Sequence, residues 1–443
     1  MNKKVLLLIL MLGACLLSAL TLQEAKELAL RNNSRYLAQK AAYESAKWSR
    51  QQALSGLFPS LTASGSYVYQ DPAVVVNTGA SGYTLNHDSR SAALTLSQPL
   101  FMGGKLWQAY KISSVSAEMS RLNLENQRLS ILNEVESKFY NVSQLKDLLA
   151  ISEKDLANTR QNLNITAARY ENGVLSQADY LKMSSKAASK EVALIQSQTA
   201  LELAKQDLFS FLGLTETVEL QAIEPLYEQT ELGTFAEYNT QQTKAFSQKA
   251  EQVSASENLN LKTAEASVHL SKKAYSIAKG NFLPTVLLSA SRSYRENGMD
   301  RYEFDATNTI ALTASVSLLP LWNNYSGSRK AYYDVQKSEQ DFKTASDGIN
   351  LAVKAAAFNL ISSARQVKAA EIAQRYAEQT YQQMQERFRN NMISTTEMLD
   401  VEIMLASAQT GLTNAMYSYL KARSSLLQAL GTDDKNVLNS LME

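Results

Sequence analysis

Cysteine, histidine, proline and glycine are all scarce in this chain. The scarcity of cysteine and histidine limits the cross-links and the chemistry that the chain can provide. A single cysteine cannot form a disulfide within the chain, so cross-links do not hold the fold together. The two histidines, His87 and His269, offer little for metal or acid–base chemistry, and no nucleophile–base arrangement or phosphate loop occurs. A formal net charge of +1 argues against nucleic acid as a partner, because neutralising phosphates needs a basic surface. We therefore expect no enzyme, no bound metal and no cofactor.

Long hydrophobic runs are also missing, apart from a short one at the start of the chain. Val5 to Leu12 follows two lysines and is too short for a bilayer, which needs about 20 apolar residues. This pattern is typical of an export signal. Two cleavage positions remain open: one after Ala19, which makes residues 1–19 the signal peptide, and one before Cys15, which would lipidate that cysteine. Either position sends the protein out of the cytoplasm.

The chain contains an internal duplication. Gly56-Leu57-Phe58-Pro59 returns as Gly280-Asn281-Phe282-Leu283-Pro284, and three further matches follow in the same order. A spacing of about 218 to 224 residues is far beyond the period of a solenoid, so a whole half of the protein is repeated. The other matched segments are 97–101 with 317–322, 169–173 with 387–391, and 211–213 with 429–431. We divide the chain into a signal peptide 1–19, a first repeat 20–213, an inter-repeat segment 214–244 expected at the waist, a second repeat 245–431 and a tail 432–443.

Only six prolines and 16 glycines interrupt 443 residues, which favours long helices. Each half has the predicted order helix, strand, strand, very long helix, turn and helix. The predicted helices are 22–56, 105–170, 176–212, 245–280, 327–388 and 394–430. The longest would reach on the order of 90–100 Å, a length that needs coiled-coil partners. Heptad spacing is visible in the last helix at Met398, Leu405, Leu412, Tyr419 and Leu426.

Four predicted strands alternate between apolar and small polar residues, over about 60–70, 91–100, 285–294 and 308–318. Such alternation is typical of a membrane barrel with a wet lumen, although a soluble sandwich gives the same pattern. Four strands cannot close a barrel, and membranes do not tolerate open sheet edges. Three copies would supply 12 strands. The predicted fold is therefore mainly α with a small β part, in which antiparallel coiled-coil helices form an α-barrel and each chain contributes four strands to a trimeric β-barrel.

These features together resemble the TolC-like outer-membrane efflux protein family over essentially the whole mature chain. The most specific segment is 169–181, which is similar to the family signature R-[FY]-x-x-G-x-x-S-x-x-D-x-L. Its counterpart, 387–399, departs from that signature at Asn391 and Glu397, which replace glycine and aspartate. Ser176 and Ser394 are also good helix N-caps, so capping alone could explain both serines.

The resemblance implies a homotrimeric exit duct in the outer membrane, surrounded by lipid, with its helical part in the periplasm. An inner-membrane pump, joined through a periplasmic adaptor, would drive efflux or type I secretion through this passive channel. The acidic residues implied at the periplasmic gate are Glu397 and Asp400; a solvated helix start is the alternative. The implied adaptor-docking residues are Gly173, Val174, Leu175, Ser176, Asn391, Met392, Ile393 and Ser394. A non-porous coiled-coil protein of the cell envelope is the alternative function.

Overall fold

The computed structural model describes residues 20–73, 75–78, 81–84, 87–214, 218–221, 229–296, 304–319 and 321–442. The signal-peptide prediction and Cys15 lie outside the described residues. The helices are α1 Leu22–Asn32, α2 Ser34–Ser55, α3 Lys105–Glu171, α4 Gln177–Leu212, α5 Gln229–Glu237, α6 Thr240–Glu257, α7 Leu259–Gly280, α8 Leu321–Arg389, α9 Thr395–Leu430 and α10 Asn436–Met442. The strands are β1 Ser60–Tyr69, β2 Val75–Thr78, β3 Ser81–Thr84, β4 Asp88–Met102, β5 Thr285–Glu296 and β6 Phe304–Ser315.

The long helices run as their composition predicts: α3 has 67 residues and α8 has 69. Their ends carry local signals. Gly213 and Gly431, at φ 69° and 88°, take the left-handed conformation that ends α4 and α9, which glycine adopts without a Cβ penalty. No helix within the described ranges combines the length and apolarity needed to cross a membrane.

Two predicted helices are broken, and the break is the same in each half. Asn33 separates α1 from α2, and Asn258 separates α6 from α7. The Asn33 amide donates to the Phe211 carbonyl at 3.4 Å, and the Asn258 amide donates to the Ala429 carbonyl at 2.8 Å. Each asparagine thus satisfies a carbonyl left free at the end of the last helix of its own half. These partners are more than 170 residues away, so the breaks leave no signal in local periodicity.

Three shorter elements add to the predicted order. The β2–β3 hairpin lies between β1 and β4, α10 lies in the C-terminal tail, and α5 lies in the inter-repeat segment. Glu231 of α5 accepts a hydrogen bond from the Tyr419 hydroxyl at 3.0 Å and pairs with Arg423 at 3.0 Å. α5 therefore packs on α9.

The chain divides into two compact units, and the first is helical. It holds Leu124–Leu261, Ser346–Glu443 and the described N-terminal residues up to Gln39. Side-chain hydrogen bonds join α4 to α3 (Asp207 with Lys138, 2.6 Å) and α3 to α9 (Asp147 with Tyr417, 2.7 Å). Apolar packing joins α9 to α8. The heptad residues Met398, Leu405, Tyr419 and Leu426 are buried in these seams.

The second unit, Lys40–Asn123 with Lys262–Ala345, contains a four-stranded antiparallel sheet in the order β1-β4-β5-β6. Its register sorts the alternating residues onto two faces. One row across all four strands is Leu61, Leu96, Ala290 and Ile310; the adjacent row on the opposite face is Thr62, Thr95, Ser291 and Thr309. At these rows one face is apolar and the other carries hydroxyl groups, as predicted for a barrel wall. Toward the Tyr69 and Glu296 end, the first face also carries charged side chains.

Candidate functional site

Two turns carry the residues singled out by the sequence, and they share one backbone geometry. Gly173, between α3 and α4, has φ 71°, and Asn391, between α8 and α9, has φ 61°. In the first turn the Val174 amide donates to the Arg169 carbonyl at 2.8 Å, and in the second Met392 donates to Arg387 at 2.8 Å. Asparagine tolerates the left-handed region better than most residues, which explains how it replaces glycine without changing the turn.

The serine after each turn caps the next helix. The amide of Asp179 donates to the Ser176 hydroxyl oxygen, and the amide of Glu397 donates to that of Ser394, both at 3.2 Å. The capping box is complete only in the second turn, where the Glu397 carboxylate accepts from the Ser394 amide at 2.7 Å. Hydrogen bonds from the Ser394 amide and hydroxyl hold the pKa of Glu397 below its ordinary value. Capping is therefore an observed role of Glu397.

The two turns lie against each other. The Arg169 guanidinium donates to the Phe388 carbonyl and lies 4.9 Å from the centre of the buried Phe388 ring. Lys182 Nζ donates to Thr396 Oγ1 at 3.3 Å. Arginine thus joins the end of α3 to the end of α8 through both charge and packing.

The predicted docking residues divide by exposure. Val174 and Met392 are 58% and 72% exposed, so each turn presents one large apolar side chain to solvent. Leu175 and Ile393 are half-buried, and Ile393 packs on the cluster around Phe388. The remaining four, Gly173, Ser176, Asn391 and Ser394, are exposed.

The two predicted gate residues are both exposed in the first turns of α9. Glu397 is engaged with Ser394, whereas Asp400 makes no hydrogen bond or ion pair with any residue in the described part of the chain. The spacing therefore places two carboxylates beside the turn, one held by the cap and one open to solvent. Their role at a gate stays a prediction.

A third carboxylate, Glu402, is buried at 2% exposure and was missed by sequence reasoning. Its oxygens accept from Thr159 Oγ1 at 3.0 Å and Asn162 Nδ2 at 2.6 Å, both on α3. Burial raises the pKa of Glu402, although these hydrogen bonds oppose the change. The available signal was its spacing of four from Met398, which places it on the buried face of α9.

Metal ligation has no support in the described ranges, where no cluster of three or more His, Cys, Asp and Glu side chains is placed to hold an ion. His87 Nδ1 lies 3.7 Å from Asp71 Oδ1, and His269 Nε2 lies 4.0 Å from Oε1 of Glu265 on its own helix. These are single exposed pairs.

Known proteins resemble this chain in sequence and in fold. The chain is 23% identical to the outer membrane protein TolC of Escherichia coli K12 over 405 residues, covering 88% of this chain and 78% of TolC. It is 22% identical to the alkaline protease secretion protein AprF of Pseudomonas aeruginosa, over 94% of this chain and 85% of AprF. Among solved structures, the outer membrane protein VceC of Vibrio cholerae has a TM-score of 0.78 at 17% identity, covering 93% of this chain and 96% of VceC. The CmeC outer membrane channel of Campylobacter jejuni has a TM-score of 0.79 at 14% identity, covering 95% and 89%.

The family model described as outer membrane efflux protein matches residues 26–214 and 250–432. These ranges include both turns and all four strands of the sheet. The match covers most of the chain, one range in each half. The chain therefore belongs to the outer membrane efflux protein family, and it is an outer-membrane exit duct of an efflux or secretion system, with its helical part in the periplasm.

Proposed function

We propose that three copies of this chain form one passive duct, which receives substrates from an inner-membrane pump through a periplasmic adaptor. Passive export needs no catalytic group, and we propose that the chain has no enzymatic activity of its own. The observation that carries the proposal is the open sheet. Among the described strands, β1 and β6 each pair on one side only, so their outer edges of 10 and 12 residues have no partner strand there.

Open edges are not tolerated in lipid, where each unpaired backbone group costs several kcal/mol. The apolar face of the sheet is suited to lipid, and the hydroxyl face to water. Pairing β6 of one copy with β1 of the next removes both edges at once. Because the two edges differ, the contact is head-to-tail, which closes into a ring when the rotation is right.

Two exposed apolar stripes on the helices support the same arrangement. On α4, Leu181, Val192, Ile195 and Leu203 are between 55% and 61% exposed. They lie opposite the buried face of that helix, which carries Met183, Ala187, Leu201, Leu208 and Leu212. On α8, the exposed Leu351, Phe358, Ile372 and Tyr376 lie opposite buried Val353, Ala357 and Leu360.

A helix that is apolar on two opposite faces is expected to be covered on both. Near the turns α4 also contacts α8 and α9, through Met183 and Lys182. Away from the turns, side-chain contacts join α4 to α3 and α3 to α9, and the exposed stripes of α4 and α8 stay uncovered in a single chain. We propose that the α4 stripe of one copy packs on the α8 stripe of the next.

The two turns are proposed as the adaptor-docking surface. Val174 and Met392 are the exposed apolar side chains in question, and burying such side chains against a partner is favourable. Glu397 and Asp400 are proposed as the acidic ring of the periplasmic gate. Threefold repetition of both would favour cations at the entrance.

The test is conductance of purified trimers in planar bilayers. Glu397→Gln with Asp400→Asn removes both charges while a side chain able to complete the capping box is kept. We expect discrete openings in both proteins, with cation preference reduced in the double variant. Glu191→Gln, an exposed charge on α4 that pairs with Arg160, is the control and is expected to leave selectivity unchanged.

The outcomes separate the two parts of the proposal. Openings with unchanged cation preference would remove the gate assignment and keep the duct. Folded trimers that never conduct, with either protein, would contradict the duct itself.

A further inference from the structure

Arg292 is a cation on the apolar face of the sheet. The register aligns Arg292 with Ala63, Leu94 and Asn308. The neighbouring rows on the same face consist of Leu61, Leu96, Ala290 and Ile310 on one side, and Gly65, Ala92, Tyr294 and Ala306 on the other. In an outer-membrane barrel this face meets lipid. A charged side chain there is costly at mid-depth and much less so near the interface, so its position and its partner need an explanation.

Chain connections show which end of the sheet is outside. The β1–β4 and β5–β6 connections leave from the Tyr69, Asp88, Glu296 and Phe304 end, whereas the other strand ends lead to helices. Because the helical part lies in the periplasm, the first end faces the exterior. Arg292 is four residues from Glu296 and seven from Thr285, the first residue of β5. It therefore lies in the half of the wall that meets the outer leaflet.

Acidic groups on the same face are engaged elsewhere. In the described strands this face carries two acidic residues, Asp88 and Glu296, and both contact Arg90, at 3.2 and 4.0 Å. The Arg90 row is four residues from the Arg292 row, about 13 Å along the strand. β1, the strand that would complete the neighbouring copy's edge, places Leu61, Ala63, Gly65, Tyr67 and Tyr69 on this face and no acid. No protein carboxylate in the described strands neutralises Arg292.

The side chain is instead exposed and held toward the exterior. Its guanidinium lies 5.2 Å from the centre of the Tyr294 ring, one row nearer the outside. Arginine reaches interfaces in this way, with its stem on apolar surface and its charged end at the headgroups. The guanidinium fork matches carboxylate and phosphate in two parallel hydrogen bonds, and phosphate is the anionic group of lipid headgroups. Asn308, directly opposite on β6, offers a further amide donor.

We propose that Arg292, with Tyr294 and Asn308, forms a binding surface for the anionic phosphate of an outer-leaflet lipid, one in each copy of the chain. The tyrosine orients the guanidinium and provides an apolar wall at headgroup level, where aromatic residues concentrate in barrels. The bound lipid would supply the counter-charge that the described strands do not place beside Arg292. Both the count of three for each trimer and the contact of this face with lipid rest on the proposed assembly.

The experiment is native mass spectrometry of the full-length protein in detergent, titrated with phosphatidylglycerol or with phosphatidylcholine. We expect the wild type to retain up to three phosphatidylglycerol molecules for each trimer in preference to phosphatidylcholine. Arg292→Gln is expected to weaken phosphatidylglycerol retention about tenfold, and Arg292→Lys to restore part of it. Oligomeric state is read in the same spectra, so a failure of assembly is distinguished from a failure of lipid binding.

The matched control is Arg295→Gln. Arg295 lies three residues further along the same strand, on the hydroxyl face and opposite Asp305. We expect it to leave lipid retention unchanged. Equal losses in the two variants, or no loss in Arg292→Gln, would overturn the proposal. Displacement of the lipid by 10-fold excess inorganic phosphate would also overturn it, because the surface would then bind free phosphate.

Discussion

At the residue scale, Glu402 shows how one buried carboxyl joins two helices of the first unit. It is on α9, and its hydrogen-bond donors, Thr159 and Asn162, are on α3. Burial and the nearby carboxylate also raise the pKa of Tyr381 on α8 to about 12. Removing the Glu402 carboxyl is expected to lower the free energy of unfolding, because its hydrogen-bond donors would stay buried without an acceptor. Glu402 therefore joins α9 to α3, but burial of its ionised form opposes this contribution to stability.

This arrangement predicts a pH dependence of stability. A folded-state pKa raised above the ordinary 4.5 means that the contribution of Glu402 is fully present below pH 4.5 and is lost as pH rises through the folded pKa. Glu402→Gln keeps the shape without the titration. We expect the melting temperature of the wild type to fall relative to this variant between pH 4 and pH 8.

The measurement is thermal unfolding by circular dichroism at several pH values, with Glu191→Gln as the exposed control. Parallel curves for the wild type and Glu402→Gln would show that Glu402 does not titrate differently in the folded state. Glu402→Ala is expected to be less stable than either by about 1–3 kcal/mol, because the Asn162 amide loses its acceptor.

At the scale of elements, the duplication places two versions of the same turn side by side. The first uses glycine and aspartate, the second Asn391 and Glu397, and both reach the same backbone conformation. The longer glutamate reaches back to the Ser394 amide, which the shorter Asp179 does not do for Ser176. The two turns thus differ in the N-cap of the following helix, while each presents one large apolar side chain.

We predict that these two side chains carry adaptor binding. Val174→Asp with Met392→Asp is expected to weaken binding of a purified periplasmic adaptor by tenfold or more, because an apolar contact is replaced by a buried charge. The assay is titration of the trimer by surface plasmon resonance. Gln177→Glu adds a charge at the exposed start of α4, beside the same turn, without removing apolar surface and is expected to have little effect. Comparable losses in the control would attribute the effect to charge alone.

At the scale of the whole molecule, each unit is incomplete in a single chain. The helical unit leaves apolar stripes on α4 and α8, and the second unit leaves the edges of β1 and β6. In the proposed head-to-tail contact, a second copy would cover one edge and one stripe of the first. A closed ring would cover every edge and stripe, which an open chain of copies would not.

The trimer is tested through the α4 stripe. Ile195→Asp buries a charge in the proposed contact and is expected to lower the trimer fraction by tenfold or more at a given concentration. Gln198→Asp, three residues away and exposed, is the control. Analytical ultracentrifugation in detergent reads the result. A trimer fraction equal to that of the wild type in Ile195→Asp would contradict packing of this stripe between copies.

Local and repetitive features were predictable from the sequence. Heptads and strand alternation have short periods, so α3, α4, α8 and α9 begin and end within a few residues of prediction, except that α8 begins six residues earlier, at Leu321. The strands were placed in the same way, although β4 and β6 begin earlier than expected and β6 ends at Ser315. The resemblance to a known family rests on these same features and on the turn at 169–181.

Tertiary structure decided what depends on distant partners. Asn33 and Asn258 break helices because they bond to carbonyls about 170 to 180 residues away, and Glu402 is buried by side chains about 240 residues earlier. Strand register decided that Arg292 shares a face with Leu61 and Ile310 and not with Arg295. Periodicity in a sequence records which face of an element is apolar. It does not record which other element covers that face, because that partner is chosen by packing across the whole chain.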